Sequence, residues 1–131
     1  MKFRQYLIET EFRFEGESVG IVTGYNPHGK KAPLSKNRQL NKSLWNDLRA
    51  DGYDPWAIRG KYKGAAEQSF LVPDITRDDL VHYGEKYNQE AVVWAKKMEK
   101  GYAVEWIEGR KTTKKGHVTN IRSLISQSTA F

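Results

Sequence analysis

Two polar side chains, Glu67 and Ser69, stand two residues apart in the short segment E-Q-S-F-L-V. If this segment is a strand, both side chains project from one face. A carboxylate beside a hydroxyl can then serve as a general base and as a group that orients the substrate. His28 would complete the set of residues to which we would assign catalysis. The alternative, which we favour, is that Glu67 forms an ion pair with Arg59 or Lys61 on a neighbouring strand.

A polar loop at residues 24–34 offers a second kind of chemistry. It contains two glycines, an Asn-Pro turn signal and two adjacent lysines, and it is longer than the usual two to six or so residues of a strand-to-helix connection. We predict that its backbone N–H groups and lysines bind an anion at the N-terminus of the following helix. The alternative is an ordinary connection. The candidate ligand-binding residues are Thr23, Tyr25, Asn26, His28, Lys30, Lys31, Asn37, Arg38, Arg59, Glu67 and Ser69.

The common catalytic and metal-binding motifs are absent from the sequence. It has no G-x-x-x-x-G-K-[ST], H-E-x-x-H or G-x-S-x-G pattern and no cysteine, and its three histidines are scattered. We therefore predict no metal site and no cofactor. A binding protein explains this inventory more readily than an enzyme does.

Hydrophobic periodicity predicts the strands and helices that would position these residues. Strands are expected at residues 6–15, 18–23, 55–63, 67–72, 89–95 and 102–106, with the first two paired as an antiparallel hairpin. Helices are expected from Ser35 to Ala50 and from Thr76 to Asn88, with Ser35 and Thr76 as their N-caps. Gly84 in the second helix should allow close approach to the sheet, and Thr119 should cap a short helix near the C-terminus. The order ββαββαββ predicts an α+β, single-domain two-layer sandwich. It would have a mainly antiparallel sheet of about six strands, two helices on one face and a short C-terminal helix.

Positive charge is concentrated in the first helix and toward the C-terminus. The net charge is +6, and residues 109–131 contain five Lys or Arg and no Asp or Glu. We predict that residues 1–108 form a compact α+β domain and that residues 109–131 form a basic linker and a short C-terminal amphipathic segment. That segment would dock on the domain or join two copies into a homo-oligomer. The positive charge favours anionic partners, although charge also serves solubility alone.

The sequence carries no signal for a membrane or for secretion. Its longest apolar run, residues 91–95, is far shorter than the roughly 20 residues of a membrane-spanning helix. Residues 1–10 lack the apolar stretch and cleavage site of a secretory signal, and the absence of cysteine is compatible with a reducing compartment. We therefore expect a cytoplasmic protein with no membrane partner.

Several stretches of the chain together resemble a known family. They are I-V-T-G-Y-N-P-H-G at 21–29, Asn37-Arg38 with Leu44 and Leu48, E-Q-S-F-L-V at 67–72, and Y-N-Q-E-A-V-V-W at 87–94. In order and spacing they are similar to the bacterial and phage family called domain of unknown function 3293, over about residues 5–108. The chain departs from the family pattern at Gly24, where alanine is expected, and at Asn88, where glycine is usual. The family supplies no activity, but the resemblance marks as candidate positions Thr23, Asn26, Asn37, Glu67, Ser69 and Gln89.

Our leading functional hypothesis from the sequence is a non-enzymatic binding protein for a phosphorylated nucleotide-type ligand. Cations in the loop, first helix and tail are interleaved with aromatic residues that can stack on a base, namely Tyr25, Trp45, Trp56 and Tyr62. The family's occurrence in phages implies the further hypothesis that the protein sequesters a nucleotide signal of host defence. The alternatives are a nucleic-acid-binding protein, a small phosphoryl-transfer or hydrolytic enzyme using Glu67, and a protein-protein interaction module.

Overall fold

In the computed structural model, which describes residues 16–62 and 65–128, one six-stranded antiparallel sheet carries three α-helices. The elements are β1 (Ser18–Val22), α1 (Leu34–Ala50), β2 (Trp56–Tyr62), β3 (Ala65–Pro73), α2 (Arg77–Lys86), β4 (Val92–Lys97), β5 (Tyr102–Glu108), β6 (Lys111–Val118) and α3 (Ile121–Ser128). A short 3-10 turn at Pro27–Gly29 lies between β1 and α1. The strand order in the sheet is β2-β3-β1-β4-β5-β6. The predicted α+β class and antiparallel sheet are confirmed.

Strand β1 lies inside the sheet because its residues are small or apolar on both faces. Val19 and Ile21 pack on one face and Val22 on the other. A side chain at Gly20 would approach Ile75 and Leu80 to within 2.9 Å, so glycine lets the following elements pack closely there. Both edges of β1 are hydrogen-bonded, to β3 and to β4. The predicted pairing of this strand with residues 6–15 is therefore wrong, and the predicted strand 6–15 itself lies outside the described residues.

The helices divide between the two faces of the sheet. Leu44 and Leu48 of α1 and Leu80 of α2 are fully buried in one cluster with residues of the sheet. The apolar side chains of α3 are buried in a second cluster, against residues of the opposite face. The prediction of two helices on one face and a short C-terminal helix is confirmed. Since α3 buries its apolar side chains within the chain, they do not form an exposed surface for joining two copies.

The helix boundaries follow local capping chemistry. Helix α1 begins one residue before the predicted start, after Pro33 rather than with Ser35 as its N-cap. The predicted N-cap of α2 is confirmed, since the Thr76 hydroxyl accepts a hydrogen bond of 3.1 Å from the Asp79 N–H. For α3 the capping side chain is Asn120 rather than the neighbouring threonine, because its amide oxygen accepts from the Ser123 N–H at 2.8 Å.

Residues 109–117 do not form the predicted linker. Lys111–Val118 is strand β6, antiparallel to β5 at the end of the sheet. Its lysine- and threonine-rich composition suits an edge strand, in which charged side chains discourage pairing with other chains. Trp106 packs under this strand: the Lys114 ammonium lies 4.9 Å from the ring centroid, and Gly116 leaves room for the ring, since an added Cβ would come within 3.2 Å of it.

Three tyrosine-aspartate pairs connect α1 and the residues just after it to α2. The Tyr53 hydroxyl donates to Asp79, Tyr83 to Asp51, and Tyr87 to Asp47 at 2.6 Å. Burial and the bonded carboxylates raise the pKa of all three tyrosines. Burial works to raise the pKa of Asp47 as well, but hydrogen bonds from Lys86 and Tyr87 outweigh it and hold that pKa below its usual value. Asp79, Tyr83 and Tyr87 stand four residues apart on one side of α2, which allows the pairs to repeat along it.

We expect Tyr87→Phe to lower the free energy of unfolding by about 1.5 kcal/mol, because a hydrogen bond to a charged group is lost. Urea denaturation at pH 7 measures the effect. In a double-mutant cycle with Asp47→Asn, we expect a coupling energy of about 1 kcal/mol. If the two substitutions lower the free energy of unfolding additively, Tyr87 and Asp47 do not interact.

Candidate functional site

Two asparagines on the buried face of α1 hold the loop that follows β1. Asn37 is 5% exposed and Asn41 is 0% exposed. The Asn37 amide oxygen accepts from the Asn26 N–H at 2.8 Å, and the Asn41 amide oxygen accepts from the Gly24 N–H at 2.6 Å. A Cβ at Gly24 would lie 3.0 Å from the backbone of Leu40, so the loop passes close to the helix. The loop conformation is therefore set by α1.

The side chain of Asn26 organises the rest of the loop. Its backbone is left-handed, with φ of 49°, a conformation that asparagine tolerates better than most residues. Its amide oxygen accepts from the Ala32 N–H at 3.0 Å and from the Asn37 side chain at 2.9 Å. Its amide nitrogen lies 3.4 Å from the Glu67 carboxylate. Asn26, Asn37 and Glu67, all candidate residues from the sequence, are thus brought together.

The backbone N–H groups of the loop are used within the protein. Besides those of residues 24, 26 and 32, the N–H of His28 donates to the Asn88 carbonyl at 2.6 Å, that of Gly29 to Asn26 at 3.0 Å, and that of Lys30 to Pro27 at 3.2 Å. The prediction that this loop presents N–H groups to an anion is therefore wrong for these residues. The reason is that an 11-residue connection needs internal hydrogen bonds to hold its shape.

Thr23 and Ser69, two candidate residues from the sequence, are both buried. The Thr23 hydroxyl donates to the Gln68 carbonyl at 2.6 Å and accepts from the Tyr25 N–H at 3.1 Å, where the β1–β3 ladder ends. Ser69 is 6% exposed and lies opposite Ile58 in the sheet register. Gln89, a candidate from the family resemblance, donates to the Tyr25 carbonyl at 3.1 Å. The hydrogen bonds of Thr23 and Gln89 hold the backbone around the loop.

Glu67 is a half-buried carboxyl group at the same place. Burial raises its pKa to about 7, although the hydrogen bond from Asn26 works in the opposite direction. Its Cα partner on β2 is Gly60, whereas Arg59 lies opposite Gln68 and Lys61 opposite Ala66. The register contradicts the expected cross-strand ion pair, because neither cation is opposite Glu67. A carboxyl group with this pKa exchanges protons near neutral pH.

A polar cleft of about 390 Å³ lies on the α2 side of the loop. It is lined by Pro27, Leu40, Ser43, Asp47, Lys86, Tyr87 and Asn88. The Lys86 ammonium and the Asp47 carboxylate form an ion pair of 2.8 Å within this lining. The cleft offers a hydroxyl, an amide and two charged groups beside apolar surface, which is the usual composition of a small-molecule site.

The remaining candidates stand on the surface. Lys30, Lys31, Arg38 and Arg59 have exposed side chains, as has His28, whose backbone is tied to Asn88. Within the part of the chain that the structure describes, no hydrogen bond joins Glu67, Ser69 and His28 into a catalytic set. Tyr25 is buried. Trp45 packs at the edge of the α1–α2 core, with the Arg49 guanidinium 5.6 Å from its ring centroid.

A second cleft lies on the same face of the sheet, beside the start of α2. It has a volume of about 330 Å³ and is lined by Glu17, Ser18, Thr76, Arg77, Asp78, Trp94 and Lys96. Among the described side chains, no three His, Asp or Glu residues lie together as a metal-binding group. None of the described helices is long and apolar enough to cross a membrane.

Asn41, Asp47, Lys86 and Tyr87 were not among the site residues predicted from the sequence. A signal was present for the first of them, since Asn37 and Asn41 stand four residues apart in line with Leu44 and Leu48. A polar residue within the apolar stripe of a helix is buried, so it requires hydrogen-bond partners. The cleft residues have no comparable signal, because α2 must be placed beside α1 before they meet.

Comparison with known proteins gives one family. A family model described as a protein of unknown function (DUF3293) matches residues 22–92 and confirms the resemblance seen in the sequence. The match runs from the last residue of β1 to the first residue of β4. It includes the loop, both asparagines of α1, Glu67 and the α1–α2 cleft. No curated protein matches the sequence.

Proposed function

The chain belongs to the DUF3293 family of proteins of unknown function, and from its own residues we propose that it binds a phosphorylated nucleotide-type ligand without transforming it. The observation that carries the proposal is the polar cleft between α1, α2 and the 3-10 turn. Its volume of about 390 Å³ falls in the range of small-ligand sites, roughly 300–1,000 Å³. It lies within the segment that defines the family match.

The lining of the cleft suits a base and a sugar. Pro27, Leu40 and Tyr87 supply apolar surface against which a flat base can pack. The Ser43 hydroxyl and the Asn88 amide supply hydrogen bonds of the kind that orient a ligand. Such a mixture supports a ligand that is part aromatic and part polar.

Exposed cations next to the cleft suit the phosphate. Lys86 in the lining is already paired with Asp47, but Lys30 and Lys31 directly follow the 3-10 turn that forms one wall of the cleft. Lysine binds phosphate as a mobile point charge, which does not require the backbone N–H groups that the loop uses internally. The loop lysines therefore support phosphate binding even though the predicted backbone site is absent.

We expect the double variant Lys30→Gln/Lys31→Gln to bind nucleotides roughly tenfold more weakly than the wild type, since two phosphate-directed charges are lost. Calorimetric titration with a panel of linear and cyclic nucleotides measures the affinity, and chromatography afterwards tests whether the ligand is intact. The matched control is Lys111→Gln/Lys115→Gln, which removes the same charge from β6. Equal weakening in both variants, or no nucleotide binding by the wild type, would refute the proposal.

A specific observation also favours a second candidate, a small hydrolytic or phosphoryl-transfer enzyme. A general base works best when its pKa lies near the working pH, and the pKa of Glu67 is raised to about 7. Conversion of nucleotide during the titration would support this candidate, and Glu67→Gln should then abolish turnover. Recovery of intact nucleotide supports sequestration, which is how such a protein would remove a nucleotide signal in the cytoplasm of an infected cell.

A further inference from the structure

The outer strand of the sheet, β6, carries a row of positive charge. Its exposed side chains include Lys111, Lys114, Lys115 and His117, and Arg110 precedes it in the hairpin. At about 3.3 Å per residue, Lys111 and His117 lie roughly 20 Å apart along the strand. We propose that this row, the β6 edge, binds the phosphate backbone of single-stranded nucleic acid.

The charge around the β6 edge is unbalanced. Residues 109–131 contain no carboxylate, so compensation must come from other elements. Glu105 of β5 lies opposite Lys115 in the register, but its carboxylate contacts Arg77 at 3.5 Å and the Thr112 hydroxyl. Glu108 lies opposite Lys111 at the hairpin end, and Glu85 pairs with Arg110 at 3.1 Å. Lys114 and Lys115 thus keep positive charge available to an anion.

The backbone of β6 argues against an added peptide strand as the occupant. In the described sheet β6 is the last strand, and its pairing with β5 shifts register between Trp106 and Ile107, which leaves Thr113 as the extra residue. A bulge of this kind twists a strand and interrupts the regular ladder that another strand would need. Lysine side chains, in contrast, reach phosphates over a range of geometries.

The shape of the row indicates a single strand. Lys114 projects from the face of the sheet that carries Trp106 and Lys115 from the opposite face, so the cations border the outer edge of β6 on both sides. One phosphate chain that runs along this edge can contact both sets, whereas a duplex presents two chains on either side of a groove that is about 12 Å wide. Residues 109–126 contain no Phe, Tyr or Trp, and the His117 ring contacts the Lys100 carbonyl at 2.6 Å. Binding would therefore use phosphates rather than base stacking, and it would show little sequence preference.

The test is fluorescence anisotropy with labelled single-stranded oligonucleotides of two unrelated sequences, at 50 and 200 mM salt. We expect the variant Lys111→Gln/Lys115→Gln to bind roughly tenfold more weakly at the lower salt concentration. The slope of log K against log salt should become shallower by about 1.4, or about 0.7 for each phosphate contact. This variant keeps the contact of Lys114 with Trp106, and circular dichroism on heating checks that it is folded.

The matched control, Lys36→Gln/Lys42→Gln, removes two exposed cations from α1 and should keep binding within about twofold of the wild type. Equal losses in the two variants, stronger binding of a duplex than of a single strand, or no binding at 50 mM salt would overturn the proposal. The nucleotide titration is independent of this outcome, because its test variant changes Lys30 and Lys31 and leaves the β6 lysines unchanged. Failure of one proposal is therefore distinguishable from failure of the other.

Discussion

Replacing Asn41 with alanine is expected to lower the free energy of unfolding by about 3 kcal/mol. The side chain is completely buried, and both ends of its amide are used. The oxygen accepts from the Gly24 N–H at 2.6 Å, and the nitrogen donates to the Gln68 carbonyl at 2.8 Å. Alanine would leave the Gly24 N–H without this partner in the interior, and a buried group that loses its hydrogen bond costs about 1–3 kcal/mol.

The control for this variant is Asn46→Ala, which makes the same substitution at an exposed position of α1. We expect it to change the stability by less than about 0.5 kcal/mol. Urea denaturation of the two variants measures the difference. A loss smaller than about 1 kcal/mol for Asn41→Ala would show that the loop does not depend on this side chain.

Asn41 also connects stability with the proposed ligand site. The loop that it anchors leads into the 3-10 turn, and Pro27 in this turn lines the α1–α2 cleft. A displaced loop should therefore weaken nucleotide binding even though Asn41 does not line the cleft. At a denaturant concentration where the variant is still folded, weaker binding would separate loop positioning from a simple loss of folded protein.

The sequence was sufficient for the elements whose periodicity is strong. Strand β1 and helices α1 and α2 appear within about two residues of their predicted bounds. Small and branched residues favour the strand, a leucine stripe marks α1, and the Thr76 cap marks the start of α2. Gly84 was expected to allow close packing on the sheet, and a Cβ there would indeed approach Val92 to 2.9 Å. These features depend on neighbours in sequence.

Features that depend on distant partners were not predictable. Strand β6 resembles a linker in composition, since an edge strand with exposed faces needs few apolar residues. The loop N–H groups were assigned to an anion because the sequence does not show their acceptors. The fold shows that these acceptors include the carbonyl of Asn88 and the side chains of Asn37 and Asn41. The residue opposite Glu67 was also unpredictable, because it follows from the register between β2 and β3.

Replacing Glu67 with glutamine is expected to stabilise the protein at pH 8 by about 2 kcal/mol and to have little effect at pH 4. Burial raises the pKa of the folded carboxyl from 4.5 to about 7, so the folded state favours the protonated form. The contribution of Glu67 to the free energy of unfolding is then greatest below pH 4.5, falls as the pH rises from 4.5 to 7, and stays constant above that range. The full shift corresponds to about 3 kcal/mol, and we reduce this figure because the carboxyl group is partly exposed.

Urea denaturation of the wild type and Glu67→Gln at pH 4, 6 and 8 measures this linkage, with Glu99→Gln as a control at an exposed carboxylate. If the stability difference between the wild type and Glu67→Gln does not change between pH 4.5 and 7, or if the variant is less stable at pH 8, burial does not raise the pKa of Glu67. A protonated carboxyl group can approach an anionic ligand without repulsion, so a ligand that contacts Glu67 should bind more weakly as the pH rises through 7.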